Sequence, residues 1–305
     1  MVTPVLRALV GEGELSYRQG ASIVLISGVM FSFTALLFRA LDNANDWQFL
    51  TMRGGSTALV LLVVAYVRRR GRPVRFDEID WKVALAGVLL AVMSMLFILA
   101  LARTTAALTT FLLAAAPFFG ALFGRVFLGE KVSMVTVGAM ATAMSGVAVM
   151  VGSGIEAGQT AGVVFAALIP LVLGLYNVLL RSKGSSVDPI LPAIIAGGTL
   201  VVVAGFVSVL TVGLAMSLRD ILLGFAAGGV ILGIGLPLFN LGHRSVPTAQ
   251  VSLLNLSEIV LAPIWVWIWP GEVPATATLI GGAIVLVAVI YLVVASDRQF
   301  RLAAR

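Results

Sequence analysis

The sequence predicts an all-α integral membrane protein with ten transmembrane helices arranged as two inverted five-helix repeats. Of its 305 residues, 60% are hydrophobic and 11% are charged, and the mean hydropathy is +1.09, whereas about 25% of a typical soluble domain is charged. A soluble protein of this size could not hide so much apolar surface behind so few charges. The chain also contains ten long apolar segments separated by short stretches with basic residues. These observations together predict that lipid surrounds most of the chain.

The predicted spans follow from the thickness of the bilayer. A hydrocarbon core of about 30 Å needs about 20 apolar helical residues, and runs of this length fit helices better than the roughly 10-residue strands of a membrane barrel. The segments that meet this requirement are 20–41, 47–67, 81–102, 104–128, 132–151, 160–180, 190–213, 221–241, 248–269 and 275–294.

The basic residues predict the orientation. With both termini in the cytoplasm, all but four of the 20 Lys and Arg residues lie on the inner side, as insertion bias requires. Those left in the outer half are Arg39, Arg53, Arg103 and Arg219. We therefore expect a multi-pass protein of the cytoplasmic (inner) membrane. Residues 1–19 lack the short apolar core and small-residue cleavage site of a secretory signal.

An internal repeat supports the same arrangement. Residues 104–130 align with residues 246–272 without a gap, and both segments end in Gly-Glu. In the ten-span arrangement the first Gly-Glu lies inside and the second outside, which is typical of inverted-repeat transporters. The predicted organisation is a cytoplasmic N-terminal segment (1–19), a first repeat (20–152), a second repeat (153–295) and a cytoplasmic tail (296–305).

Several short motifs resemble a known family. The sequence ALARTTAALT from Ala100, the following Pro117 and LGEK from Leu128 resemble the first EamA repeat of the drug/metabolite transporter (DMT) superfamily. GLYNVLLR from Gly174 and HRSVPTAQV from His243 resemble its second repeat. Within this family the chain is similar to bacterial amino-acid exporters of the YddG type. The resemblance implies a secondary transporter of small molecules. We expect it to need no cofactor and no metal, to bind no nucleic acid and to function as a monomer.

Polar residues inside the predicted spans are the candidate substrate-binding groups. Glu258 is the one acidic residue near the centre of any predicted span, and ionisable groups at such depth are costly and usually functional. It could bind an amine or carry a proton, or it could be protonated and bond a neighbouring helix. Hydroxyl groups compete with bonds to their own helix backbone. The other predicted substrate-binding residues are Asn177, Tyr176, Asn255, Ser94, Thr110, Phe97 and Asn240.

Two further features have alternative interpretations. Arg53 could bind a substrate carboxylate, or its side chain could extend outward to Asp46 or to another acidic residue on the outer side; we favour the second because the position is shallow. Gly233, Gly235 and Pro237 could form a hinge in the eighth span, because proline and glycine weaken a helix. Static close packing would also explain them.

The sequence favours transport over other functions. It contains neither the paired intramembrane aspartates nor the His-Glu-x-x-His helix of a membrane enzyme, no glycine loop for ATP, and no repeated channel filter. With one histidine, His243, and no cysteine, a metal site is not expected. We predict an exporter of amino acids, of aromatic or other apolar type, or of similar small metabolites. The alternatives are an exporter of unrelated drugs or metabolites and a passive channel.

Overall fold

The computed structural model of the protein describes residues 15–69, 71–72, 79–129, 134–152, 158–181, 190–243 and 248–303. These ranges contain helices and short connections, and no strand. The helices are α1 (Tyr17–Arg39), α2 (Asp46–Arg68), α3 (Trp81–Leu101), α4 (Ala106–Leu113), α5 (Ala116–Leu128), α6 (Met134–Gly152), α7 (Thr160–Arg181), α8 (Ile190–Thr211), α9 (Leu218–Phe225), a π-helical segment (Ala226–Leu232), α10 (Gly233–His243), α11 (Thr248–Ile268) and α12 (Thr276–Ala303).

The helices confirm the predicted fold class. In the described ranges, eight helical segments are long and apolar enough to cross a membrane, and two shorter apolar stretches, Ser257–Ile268 and Thr276–Tyr291, lie within α11 and α12. Each of the ten predicted spans corresponds to one of these segments. The protein is therefore an all-α, multi-pass membrane protein.

Polar caps fix the starts of the first two helices. The Ser16 hydroxyl accepts a hydrogen bond from the Gln19 backbone N–H, and the Gln19 side chain accepts one from the Ser16 N–H. Asn45 and Gln48 form the same capping box before α2. Because this reciprocal pair satisfies free N–H groups, α1 begins three residues before the predicted span at residue 20.

Two predicted spans are interrupted. The fourth divides into α4 and α5 at Ala114 and Ala115, just before Pro117, which has no N–H to continue the first helix. The eighth contains the π-helical segment Ala226–Leu232 between α9 and α10. A π-helical turn widens the helix locally and often accompanies a functional site.

Helix pairing has a two-fold pattern. Helix α1, the first span, packs against α10 and α11, which belong to the eighth and ninth spans. Helix α7, the sixth span, packs against α3 and against α4 and α5, which belong to the third and fourth spans. The second span packs on the seventh, and the fifth on the tenth. Exchanging the two halves of the chain leaves these pairs unchanged, as two inverted five-helix repeats require. The exact repeat boundaries, 20–152 and 153–295, stay a prediction.

Glycines allow close contact between the paired spans of the two halves. A Cβ atom on Gly197 of α8 would lie 2.6 Å from the Gly54 carbonyl oxygen of α2, and one on Gly146 of α6 would lie 2.6 Å from the Gly281 carbonyl oxygen of α12. Small residues let membrane helices approach this closely. The interface between the halves is therefore built on backbone contact.

Three ion pairs between described residues lie together at one end of the bundle, which we call the Glu272 end. Among the described residues they join three of the predicted outer arginines to acidic side chains: Arg39 to Glu272 (2.9 Å), Arg103 to Asp46 (2.9 Å) and Arg219 to Asp42 (2.5 Å). These residues therefore share one face, as the predicted topology requires. Which side of the membrane this end occupies stays a prediction.

Candidate functional site

Three polar side chains from the two halves of the chain lie at similar depth inside the bundle. They are Arg53 on α2, Ser94 on α3 and Glu258 on α11, and we call them the central cluster. From the helix end nearest the Glu272 end, Arg53 and Ser94 lie about 10 Å along their helices and Glu258 about 15 Å along its own, at 1.5 Å per residue. The three side chains thus lie at similar depth, well inside the membrane-spanning region.

Arg53 is the centre of this cluster. Only 6% of Arg53 is exposed, and its Nη1 atom donates a hydrogen bond to the Ser94 hydroxyl. Glu258, from the other half of the chain, is partly buried and lies within electrostatic range of Arg53. The Arg53 Nε atom is buried and, within the described ranges, has no hydrogen-bond partner. A buried guanidinium with an unused donor is costly, so the cluster has unused capacity to bind an acceptor.

The backbone at Arg53 is held by its own helix and by the eighth span. The hydroxyls of Ser56 and Thr57 donate to the Arg53 carbonyl oxygen, at 3.1 Å and 2.7 Å. Gly228, in the π-helical segment, packs against the same carbonyl group and the Ser56 hydroxyl so closely that no Cβ atom fits there. The widened helix therefore rests directly on the residue that carries the guanidinium.

This placement overturns our interpretation of Arg53. The sequence favoured a side chain that extends outward to Asp46, but Asp46 accepts a hydrogen bond from Arg103 at 2.9 Å. Arg53 instead contacts Ser94, a predicted substrate-binding residue. Arg53 stays inside because the Ser94 hydroxyl on α3 provides a partner within the bundle, and sequence position alone does not reveal that neighbour.

Aromatic side chains lie two helical turns from Glu258 along α11. The Trp265 Nε1 atom donates to the Ser32 hydroxyl at 2.9 Å, and its ring stacks on Phe33, with centroids 5.0 Å apart and planes inclined by 12°. One turn before Ser32, a Cβ atom on Gly28 would lie 2.5 Å from the Ser257 hydroxyl. Helix α1 therefore lies tightly along α11 from Ser257 to Trp265.

Two other predicted binding residues lie nearer the Glu272 end. Thr110 is buried, and its hydroxyl donates to the backbone carbonyls of Ala106 and Ala107, at 2.9 Å and 3.2 Å. This bond to its own helix is the competing arrangement considered for hydroxyl groups. Phe97 is partly buried and packs against the two largest apolar clusters of the core. Their roles in binding stay predictions.

The remaining predicted binding residues lie farther than Glu258 from the Glu272 end of the bundle. Tyr176 and Asn177 are partly buried near the end of α7, about 25 Å along that helix and hence roughly 10 Å deeper than Glu258. Asn240, in α10, is also partly buried, and its amide nitrogen has no partner within the described part of the chain. Asn255 precedes Glu258 on α11, but its side chain lies outside what the structure describes.

The predicted hinge follows the π-helical segment. A Cβ atom on Gly233 would lie 2.8 Å from the Val60 side chain, and one on Gly235 would lie 2.8 Å from the Phe31 ring. Pro237 lies inside α10. These contacts explain the two glycines by packing, and hinge motion stays a prediction. Within the described ranges, no group of three His, Cys, Asp or Glu residues could hold a metal ion; the His243 side chain is outside them.

Comparisons with known proteins agree with this architecture. Residues 18–152 match the EamA-like transporter family. The probable terminal-alkyne amino-acid exporter of Streptantibioticus cattleyicolor is 32% identical over 192 residues, which are 57% of this chain. The chain spans 59% of that relative's length. A solved crystal structure shares the fold, with a TM-score of 0.65 and 18% identity over 90% of this chain and 97% of the other.

The family match confirms the resemblance seen in the sequence motifs. Both the matching family and the similar curated protein are transporters. This chain is a multi-pass membrane protein whose residues 18–152 match the EamA-like transporter family.

Proposed function

We propose that the protein is a secondary transporter that exports amino acids or similar small metabolites by alternating access between its two halves. One observation carries the proposal: Arg53 of the first half, buried and bonded to Ser94, lies at similar depth inside the bundle to partly buried Glu258 of the second half. Transport sites of inverted-repeat proteins lie at this level, between the repeats. The name of the curated relative supports the choice of cargo.

Glu258 has two possible parts in such transport. As a carboxylate it can accept hydrogen bonds from a substrate ammonium group. It can also take up and release a proton, which would couple export to a pH gradient. The chemistry of the nearby rings favours apolar cargo, since the stacked Phe33 and Trp265 lie two turns along the same contact between α1 and α11.

Purified protein in liposomes tests the proposal. Vesicles loaded with radiolabelled leucine or phenylalanine should show saturable efflux that unlabelled amino acid on the other side accelerates. Glu258→Gln should reduce this efflux, while Asp42→Asn, a matched change at an exposed carboxylate, should leave it near wild type. Flux that neither saturates nor responds to external amino acid would indicate a channel and contradict the proposal.

The same variant separates the two parts of Glu258, because Gln keeps the shape and hydrogen bonding of Glu but exchanges no proton. Loss of uphill transport driven by a pH gradient, with exchange retained, would indicate proton coupling. Equal loss of both would indicate substrate binding. Full activity in both assays would exclude Glu258 from the transport site.

A further inference from the structure

We propose that Arg53 is the carboxylate-binding residue of the transport site, with Ser94 holding its guanidinium in place and Glu258 nearby as a second charged group when no substrate is bound. The inference rests on the proposed function, because it names the group that the transported molecule must carry. It assigns the substrate to one chemical class, small molecules with a free carboxylate.

The first argument is the unused hydrogen-bonding capacity of Arg53. The side chain is 6% exposed, its Nη1 atom donates to Ser94, and its Nε atom has no partner among the described residues. Guanidinium donors form a rigid planar fork that matches the two oxygens of a carboxylate. The Ser94 hydroxyl uses one donor of the buried Arg53 guanidinium, and the unused Nε donor is available to a substrate carboxylate.

The second argument is charge balance in a medium of low dielectric constant. Without substrate, Glu258 lies within electrostatic range of Arg53, and its carboxylate form balances the charge of the guanidinium. A zwitterion could replace that interaction, its carboxylate binding Arg53 and its ammonium group binding Glu258. The net charge of the site stays zero in both states, so no charge is left unpaired inside the membrane, where unpaired charges are costly.

The third argument is the support around Arg53. Two hydroxyls bond its carbonyl oxygen, and Gly228 packs on the same group. The backbone is therefore fixed by α2 and the π-helical segment while only the side chain has partners that can change. Preorganisation of this kind lowers the cost of binding.

A set of related ligands tests the inference. The probes are leucine and three related compounds. Leucinamide and isoamylamine lack the free carboxylate, and 4-methylpentanoate lacks the amine. Two measurements are made for each: the ligand-induced shift in melting temperature in detergent, and inhibition of labelled-leucine efflux from liposomes. The variants are Arg53→Gln, Arg53→Lys and Ser94→Ala, with Arg219→Gln as a matched control because Arg219 is exposed and pairs with exposed Asp42.

We expect Arg53→Gln to weaken the binding of leucine and of 4-methylpentanoate about tenfold to a hundredfold, which is the range expected for one lost charged hydrogen bond. The binding of isoamylamine should change little. Arg53→Lys should be intermediate, since it keeps the charge but loses the fork. Ser94→Ala should weaken carboxylates less than Arg53→Gln, because Ser94 positions the guanidinium. The Arg219→Gln control should match wild type.

Equal weakening of all four ligands by Arg53→Gln, or no weakening of any, would overturn the inference. If Arg53→Gln does not fold, Arg53→Lys and Ser94→Ala provide the test. For each variant the ratio of leucine affinity to isoamylamine affinity is compared with the wild-type ratio, and unchanged ratios would overturn the inference. Failure of the proposed function has a different signature: wild-type protein moves no amino acid, while 4-methylpentanoate still stabilises it in an Arg53-dependent way.

Discussion

Arg39, at the end of α1, and Glu272, in the connection between α11 and α12, form an ion pair that ties the first half of the chain to the second. The Arg39 Nε atom lies 2.9 Å from Glu272 Oε2, and Arg39 Nη2 donates to the Thr104 carbonyl oxygen at 2.7 Å. The other Glu272 oxygen accepts the Ala106 backbone N–H at 2.6 Å. One carboxylate thus binds a cation and also the positive N-terminus of α4.

We expect Glu272→Gln to destabilise the protein by about 1–3 kcal/mol, because both side chains are mostly buried and hydrogen bonds to charged groups have this magnitude. Thermal melting in detergent measures the loss. Once Glu272 is Gln, changing Arg39 to Gln should add little, since the pair acts as a unit.

The exposed pair of Arg219 and Asp42 is the matched control, because exposed ion pairs contribute about 0–1 kcal/mol. Additive losses from Arg39→Gln and Glu272→Gln would show that the two residues do not stabilise each other.

A second prediction concerns Asp220, which is fully buried at the start of α9. Its carboxylate accepts backbone N–H groups from Asp42 (2.8 Å), Asn43 (3.2 Å) and Ala44 (3.0 Å), and so holds the connection between α1 and α2. We expect Asp220→Ala to cost about 2–4 kcal/mol, because these donors lose a charged acceptor.

Melting temperature in detergent tests this, with Asp42→Ala as the control at an exposed carboxylate nearby. A melting temperature for Asp220→Ala no lower than that of Asp42→Ala would show that the three bonds do not stabilise the fold.

The fold was predictable from hydropathy because the energetic demand of the bilayer is uniform along the chain. Every spanning segment needs about 20 apolar residues, so ten spans and their alternation could be read from composition. Helix ends were less predictable: Ser16 and Asn45 extend α1 and α2 by polar caps that a hydropathy window averages away. The division of the fourth span was signalled by Pro117.

The candidate site was less predictable because it depends on which side chains meet. Sequence depth identified Glu258 and Ser94 separately, but it favoured an Arg53 side chain that extends outward from the second span. Asp220 was missed altogether, since an acidic residue at the edge of a span resembles an ordinary boundary residue. Contacts between residues 41 or more positions apart, such as Arg53 and Ser94, leave no local pattern in the sequence.

A third prediction tests the support of Arg53 by the eighth span. Gly228→Ala should lower both the melting temperature and the efflux of labelled leucine, because the new methyl group would overlap the Arg53 carbonyl oxygen and the Ser56 hydroxyl. Overpacking of this kind costs about 1–3 kcal/mol.

Gly198→Ala is the matched control in another membrane helix, since nothing lies within 4 Å of its Cβ position. That change should be neutral or stabilising by up to about 1 kcal/mol. Equal stability and efflux for the two variants would exclude tight packing of the π-helical segment on α2.

The last prediction concerns topology. Because the chain has no cysteine, single cysteines can be introduced without other changes and labelled with a membrane-impermeant maleimide. Asn43 and Ala215 are exposed at the Glu272 end, where the Asn43 N–H binds Asp220 and the Ala215 carbonyl binds Gln48. Arg72 is exposed beyond the opposite end of α2.

Since basic residues are retained in the cytoplasm, we expect Asn43→Cys and Ala215→Cys to react in intact cells, and Arg72→Cys to react after permeabilisation only. Reaction of Asn43→Cys and Arg72→Cys from the same side would contradict a membrane-spanning α2, and reaction of Arg72→Cys alone in intact cells would reverse the orientation while keeping the fold.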